Sequence, residues 1–333
     1  MNITYKKGRQ FQLSAIASPL QAVGKKSANA TLNGLTMNHT YKDDKNVSAE
    51  ASIGTIIIIN CALNAPLMLI SIFGNGLVLT AAIRTPSIHS PSMNFLCSLA
   101  VSDLLVGLLV QPLYIANTLT DIHVLKLLAG MMAFFVCGVS LDLVTTISMD
   151  RLIALLSHLR YPIVVTKSRV RYTVLTIWLI RGLSSGFYLW KRRECHLMAA
   201  VTTVICLMIS TFSYIKIYRI VRHHQSQIHV QQHITQSSSN VGHAIHVVRL
   251  KKSAMNTFVF YIFLLICYFP MYILSTLHGI SFLDWVTEWD FAHTAVFMNS
   301  SINPILYCWR LRELRAAVVK TLRQIFSTQT DQH

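Results

Sequence analysis

Charged side chains are scarce in this chain. Asp, Glu, Lys and Arg make up 13% of its 333 residues, about half the share expected of a soluble globular domain. The charges are also bunched, with long stretches between them that carry almost none. Such a surface suits lipid rather than water as the solvent. Acidic residues are the scarcest: 13 Asp and Glu stand against 29 Lys and Arg, for a formal charge of +16. That excess invites a nucleic-acid reading. The basic residues form no patch interleaved with aromatics, however, and sit instead at the ends of apolar stretches. A basic-apolar-small signal peptide is missing at Met1, so the first apolar segment has to serve as the targeting signal. Short segments of alternating polarity are missing too, which excludes a membrane β-barrel. No nucleophile–base set or ligand spacing of histidines stands at membrane depth, so a membrane enzyme is disfavoured. A multi-pass transporter or channel is the alternative architecture, but the inverted repeats of a secondary transporter are absent.

What the chain has in quantity is apolar length. Seven segments, roughly 55–83, 93–116, 124–150, 172–190, 196–218, 254–277 and 289–309, are apolar. Each is near or above the length of about 20 residues that crosses hydrocarbon as a helix. The fourth is the weakest, being short and carrying Arg181. The expected fold is all-α: a seven-transmembrane helix bundle over 55–309. An amphipathic surface helix follows over 310–326, then a short tail over 327–333. Basic residues crowd the connections after segments one, three and five and the tail after segment seven, with Arg84, Arg160, Lys167, Arg169, Arg171, Arg222, Arg249, Lys251, Lys252 and Arg310 among them. The loop before segment seven carries Asp284, Glu288 and Asp290 and no Lys or Arg. The positive-inside rule therefore places the amino terminus outside the cell, against the lone dissent of Lys191, Arg192 and Arg193. Residues 1–54 contain Asn-x-Ser/Thr sequons at Asn2, Asn29, Asn38 and Asn46, which fit a disordered, glycosylated extracellular tail.

The motifs within these segments resemble those of the rhodopsin-like (class A) G protein-coupled receptors, one per helix and in order. They are Gly74-Asn75 in helix one, "NFLCSLAVSDLL" with Asp103 in helix two and "MDRL" at Asp150-Arg151 ending helix three. Trp178, Tyr214, "CYFP" with Pro270, and "NSSINPILY" with Asn303, Pro304 and Tyr307 follow in helices four to seven. The residues themselves point the same way. Polar groups in lipid are costly and usually functional. Asn75, Asp103, Ser140 and Asn299 all fall at a depth of roughly 14–17 Å from the cytoplasmic helix ends, near mid-bilayer. The resemblance implies that Asp103, Ser140, Asn299, Ser300 and Asn303 form a pocket for an allosteric sodium ion; a water-filled polar network is the other reading. It also implies that Asp150 restrains Arg151 at rest. On activation Arg151 would join Tyr214, Tyr307 and an inserted G protein helix, while Pro162 and Ile163 dock on the same partner. The acid often opposing this arginine on helix six has no counterpart near Leu250, so a weak cytoplasmic lock is expected.

Helices three and four carry a further pair. Asp142 and Arg181 lie at depths of about 14 and 15 Å, and each alone would be costly, so an interhelical salt bridge is expected.

The departures from the family pattern concern the outer side. Lys126 stands where helix three usually has its bridging cysteine, leaving Cys195 without that partner. The usual helix-five proline is Cys206, and the helix-six tryptophan is Tyr268. With the very short outer loop before helix five, this resembles the melanocortin, lysophospholipid, cannabinoid and adenosine branch. Ala133 stands where aminergic receptors carry the aspartate that pairs with the ligand's ammonium, so an amine held that way is disfavoured. Ala133, Cys137, Tyr268, Tyr272 and Lys126 are the ligand-pocket candidates, for a lipid, peptide or small molecule. The expected partners are that extracellular ligand, a heterotrimeric G protein, membrane lipids, and an arrestin and receptor kinase acting on the tail. The histidine-rich run "HHQSQIHVQQHITQ" has no ligand spacing, and no metal beyond sodium is expected.

Overall fold

A computed structural model of the chain describes residues 35–85, 90–120, 122–157, 160–234, 261–277, 286–310 and 312–330. Among them the secondary structure is helical throughout. The long helices are α1 (Leu35–Arg84), α2 (Pro91–Leu119), α3 (His123–Leu156), α4 (Lys167–Gly186), α5 (Arg192–Ile234), α6 (Tyr261–Leu277), α7 (Val286–Arg310) and α8 (Arg312–Thr330). Four of them, α1, α2, α3 and α5, contain stretches long and apolar enough to cross a membrane unaided. α4 is less apolar because it starts with exposed Lys167, Arg169 and Arg171 and carries buried Arg181, and α7 because it carries buried Asn299, Ser300, Ser301 and Asn303; residues 254–260, where segment six was expected to begin, lie outside the described residues.

The polarity of the bundle is inside out. Asn60, Asn64, Asn75, Ser102, Asp103 and Gln111 have no exposed surface, whereas Phe73, Ile83 and Leu183 are each more than 70% exposed. A water-soluble protein reverses that arrangement. The apolar outer wall meets lipid, and the interior satisfies its polar groups by helix-to-helix hydrogen bonds.

Local sequence sets the helix ends. Ser90 caps α2 by accepting from the Met93 amide, with Pro91 at the first helical position. Thr166 caps α4 by accepting from Arg169. α2 passes through a π-helical stretch at Val106–Val110, one residue before Pro112 can enter the ladder. This wider turn rotates the outer third of the helix relative to its inner part. α1 begins at Leu35, so the part of the expected tail from 35 to 54 is helical; it contains no proline, and an established helix extends at little cost per residue. Asn38 and Asn46 fall on this extension, while Asn2 and Asn29 lie outside the described residues.

α8 turns Leu314, Ala317, Val318 and Thr321 inward against α1, with Glu313, Arg315 and Lys320 exposed on its other side. Leu311 lies outside the described residues.

An outer polar cluster ties α1, α2 and α7. Thr294 accepts from the side-chain amides of Asn60 (2.9 Å) and Asn64 (2.8 Å). The Tyr114 hydroxyl donates to Asp290 (2.8 Å) and lies 3.1 Å from the Asn60 carbonyl oxygen. His293 stacks on Tyr114 with ring centroids 5.5 Å apart.

Candidate functional site

The mid-bilayer polar layer is assembled around one carboxylate. Asp103, on α2, accepts from Ser140 of α3 at 2.9 Å and from the Asn303 amide of α7 at 2.7 Å. Ser300 adds a third hydrogen bond. Asn75 donates to the Ser71 and Ser300 carbonyls at 2.9 and 3.1 Å, fixing the α7 backbone beneath the carboxylate rather than touching it. Asn299 is also buried, and its amide nitrogen finds no hydrogen-bond partner among the described residues. Thus Asp103, Ser140, Ser300 and Asn303 are brought together directly, Asn75 braces them, and Asn299 stands beside them. The set offers carboxylate, hydroxyl and amide oxygens and, among the described residues, no cationic side chain opposes Asp103. That donor chemistry fits a hard monovalent cation.

At the cytoplasmic end of α3 Asp150 and Arg151 form a long ion pair, and Asp150 has closer partners. Both oxygens of Asp150 are taken, one by the Ser92 hydroxyl and one by the Tyr161 hydroxyl, each at 2.8 Å. Arg151 approaches it only at 3.9 Å through Nε, beyond hydrogen-bonding range. Asp150 is therefore anchored to α2 and to the loop after α3 more firmly than to Arg151. The cause is reach: Ser92 and Tyr161 approach from the side where the short Asp side chain points. Burial pushes the Tyr161 phenol above its ordinary range, with Asp150 adding to the effect. Its proton, and the bond to Asp150, are therefore retained across neutral pH and given up only under strongly alkaline conditions. One turn above Arg151, Tyr214 bonds Ser148 at 2.8 Å and packs on Tyr261 with centroids 4.9 Å apart. Tyr307 is buried in the main core. Pro162 and Ile163 lie on a single helical turn, Tyr161–Val164, and Ile163 is 72% exposed. Leu250 and its neighbours lie outside the described residues.

Toward the outer side a cavity of about 700 Å³, part of it open to the surroundings, lies between α3, α4, α5, α6 and α7. Ala133, Cys137 and Tyr268 line it, and Lys126 and Tyr272 do not. Lys126 sits two helical turns before Ala133, beyond the mouth, and Tyr272 one turn past Tyr268, beside Phe269. Tyr188, His196, Thr203, Met271, His293 and Phe297 complete much of the wall. Their helices were legible in the sequence, but which face each presents was not. Gly130 admits the Tyr188 ring: a Cβ there would stand 2.2 Å from the Tyr188 hydroxyl. Tyr268 connects the cavity to the layer beneath, its hydroxyl donating to the Cys137 carbonyl at 3.3 Å.

Comparison with known proteins matches residues 74–198 to the family described as 7 transmembrane receptor (rhodopsin family). Over that stretch the chain resembles the rhodopsin-like G protein-coupled receptors. Relatives include the histamine H2 receptor of Canis lupus familiaris, 27% identical over 77% of this chain and 77% of that protein. The histamine H2 receptor of Cavia porcellus is 26% identical over 87% of this chain and 82% of that protein. Neither is named for the branch that the outer-loop departures resemble. With the apolar helices, these likenesses support a multi-pass membrane receptor that answers an extracellular ligand and couples to G proteins.

The receptor's outer half shows the departures from pattern. All seven cysteines are free, Cys195 among them as a buried thiol. Arg181 grips Asp142 with two bonds of 2.6 Å, from Nε and one terminal nitrogen, and the Cys206 thiol lies 3.5 Å from the same carboxylate. Arg181 also lines the cavity, a placement that reading the pair as purely interhelical had not included.

Proposed function

We propose that ligand binding in the outer cavity is transmitted to Arg151 through the Asp103 layer, and that sodium bound by Asp103, Ser140, Ser300, Asn299 and Asn303 favours the resting state. The sodium ion would supply the positive charge that the buried carboxylate lacks. The observation that carries this reading is the placement of Tyr268. It lines the cavity, and its hydroxyl meets α3 at Cys137, one turn above the Ser140 that holds Asp103. A ligand pressing on Tyr268 therefore bears on the polar layer without an intermediary. Below it, Arg151 is held loosely, so its release needs little energy.

Orientation with the amino terminus outside follows from the basic connections on one side of the bundle. Exposed Ile163 supplies an apolar docking point for the G protein. The basic outer face of α8 favours an anionic inner leaflet, and Ser327, Thr328 and Thr330 are hydroxyls for a receptor kinase and subsequent arrestin binding.

The relatives are named for histamine, but among the described residues no acidic side chain lines this cavity, and Ala133 occupies the position of the aminergic aspartate. The receptor's ligand is thus not an amine held by that ion pair. The test is nucleotide exchange on a purified G protein, with the receptor in nanodiscs and lipids, peptides and histamine supplied in turn. We expect a response to a compound other than histamine and its abolition in Arg151→Gln at unchanged receptor density. A response that survives Arg151→Gln would overturn the switch.

A further inference from the structure

Arg181 presents more donors than Asp142 consumes. A guanidinium has two bidentate edges and five N–H groups. Asp142 occupies the edge formed by Nε and Nη2 at 2.6 Å each. Nη1 has no hydrogen-bond partner among the described residues, which leaves the edge formed by Nη1 and the second hydrogen of Nη2. Gly138, which lines the same cavity, packs against the Cδ–Nε–Nη1 side of this group: a Cβ added there would stand 3.2 Å from Cδ and 3.3 Å from Nε and Nη1, so the glycine gives the guanidinium its room beside the cavity. Among the described residues the cavity wall contains no carboxylate, and its other polar residues, such as Thr203, His196 and His293, do not oppose an anion.

We propose that the free edge of Arg181 is an anion-binding subsite, and that the receptor's ligand is a compact acid whose carboxylate docks there while its apolar body lies along Ala133, Phe134 and Phe297. Asp142 serves as the permanent partner that lets the guanidinium be ionised at this depth. The incoming carboxylate forms a second fork-to-fork pair on the opposite edge, a geometry lysine cannot reproduce. This deepens the reading of the cavity as the ligand site.

The test is direct binding, kept apart from signalling. Purified receptor in nanodiscs is heated with 4-phenylbutyrate, 4-phenylbutanamide and 4-phenylbutylamine, and in parallel with decanoate and decanamide. Ligand that binds only the folded state raises the melting temperature. Each acid should raise it, and its matched amide or amine should do so at least tenfold less potently. Arg181→Lys, which keeps a cation opposite Asp142 and removes the second fork, should weaken the acids about tenfold and leave the amides unaffected. Equal potency of acids and amides, no shift with either acid, or acid binding indifferent to Arg181→Lys would each overturn the subsite. Because exchange on the G protein is measured separately, failure of this subsite leaves the signalling result standing, and failure of signalling leaves the binding result readable.

Discussion

Among single residues, Asp142 and Arg181 make the sharpest comparison. Arg181 donates two short bonds to Asp142 at mid-membrane depth, where the Asp142 side chain is 22% exposed and that of Arg181 8%. Removing one partner strands the other in a poor solvent, at a cost of about 3–5 kcal/mol for a buried pair. Asp142→Asn and Arg181→Gln should therefore each lower surface expression markedly, and the double variant should recover most of it. Flow cytometry on intact cells reads this directly; equal and additive losses would mean that the two do not depend on each other. Asp103 gives a second comparison. Basal nucleotide exchange should rise several-fold when NaCl is replaced by choline chloride, and Asp103→Asn should remove that dependence. Both pairs of partners could be read from the sequence because charge inside a membrane has few explanations, and depth follows from counting residues. The firm hold of Ser92 and Tyr161 on Asp150 could not, since a serine at a helix start and a tyrosine in a loop are common and unremarkable on their own.

At the scale of elements, the long helices were legible from apolar length alone. Their irregularities were not. The π stretch of α2 depends on a ladder adjusting to Pro112, and Val106–Val110 is an ordinary apolar run. The start of α1 at Leu35 reflects helix extension into a polar segment that hydropathy assigns to a tail. The amphipathic face of α8 was visible from its spacing, but its docking surface on α1 was not. Leu314, fully buried there, makes that docking testable. Leu314→Ala should cost about 2–5 kcal/mol by leaving a cavity. A fluorescence melting curve of the receptor should shift down by several degrees, whereas Arg315→Ala, on the exposed side, should leave it unmoved.

For the whole molecule, topology is the governing variable. An epitope at the amino terminus should be stained on intact cells, and one after His333 only after permeabilisation; the reverse pattern would invert every assignment of inner and outer side. Given that topology, the outer cluster has a mechanical result. Asn64, Tyr114 and Thr294 lie roughly 14–17 Å above Asn75, Asp103 and Asn303 along the same three helices. α1, α2 and α7 are thus riveted to one another at two heights, through Thr294 and Tyr114 above and Asp103 and Asn75 below. A rod fixed at two points cannot pivot. These three form the stationary frame, and the swing that opens a cleft for a cytosolic partner falls to the opposite side, where α5 leans on α3 through Ser148 and Tyr214.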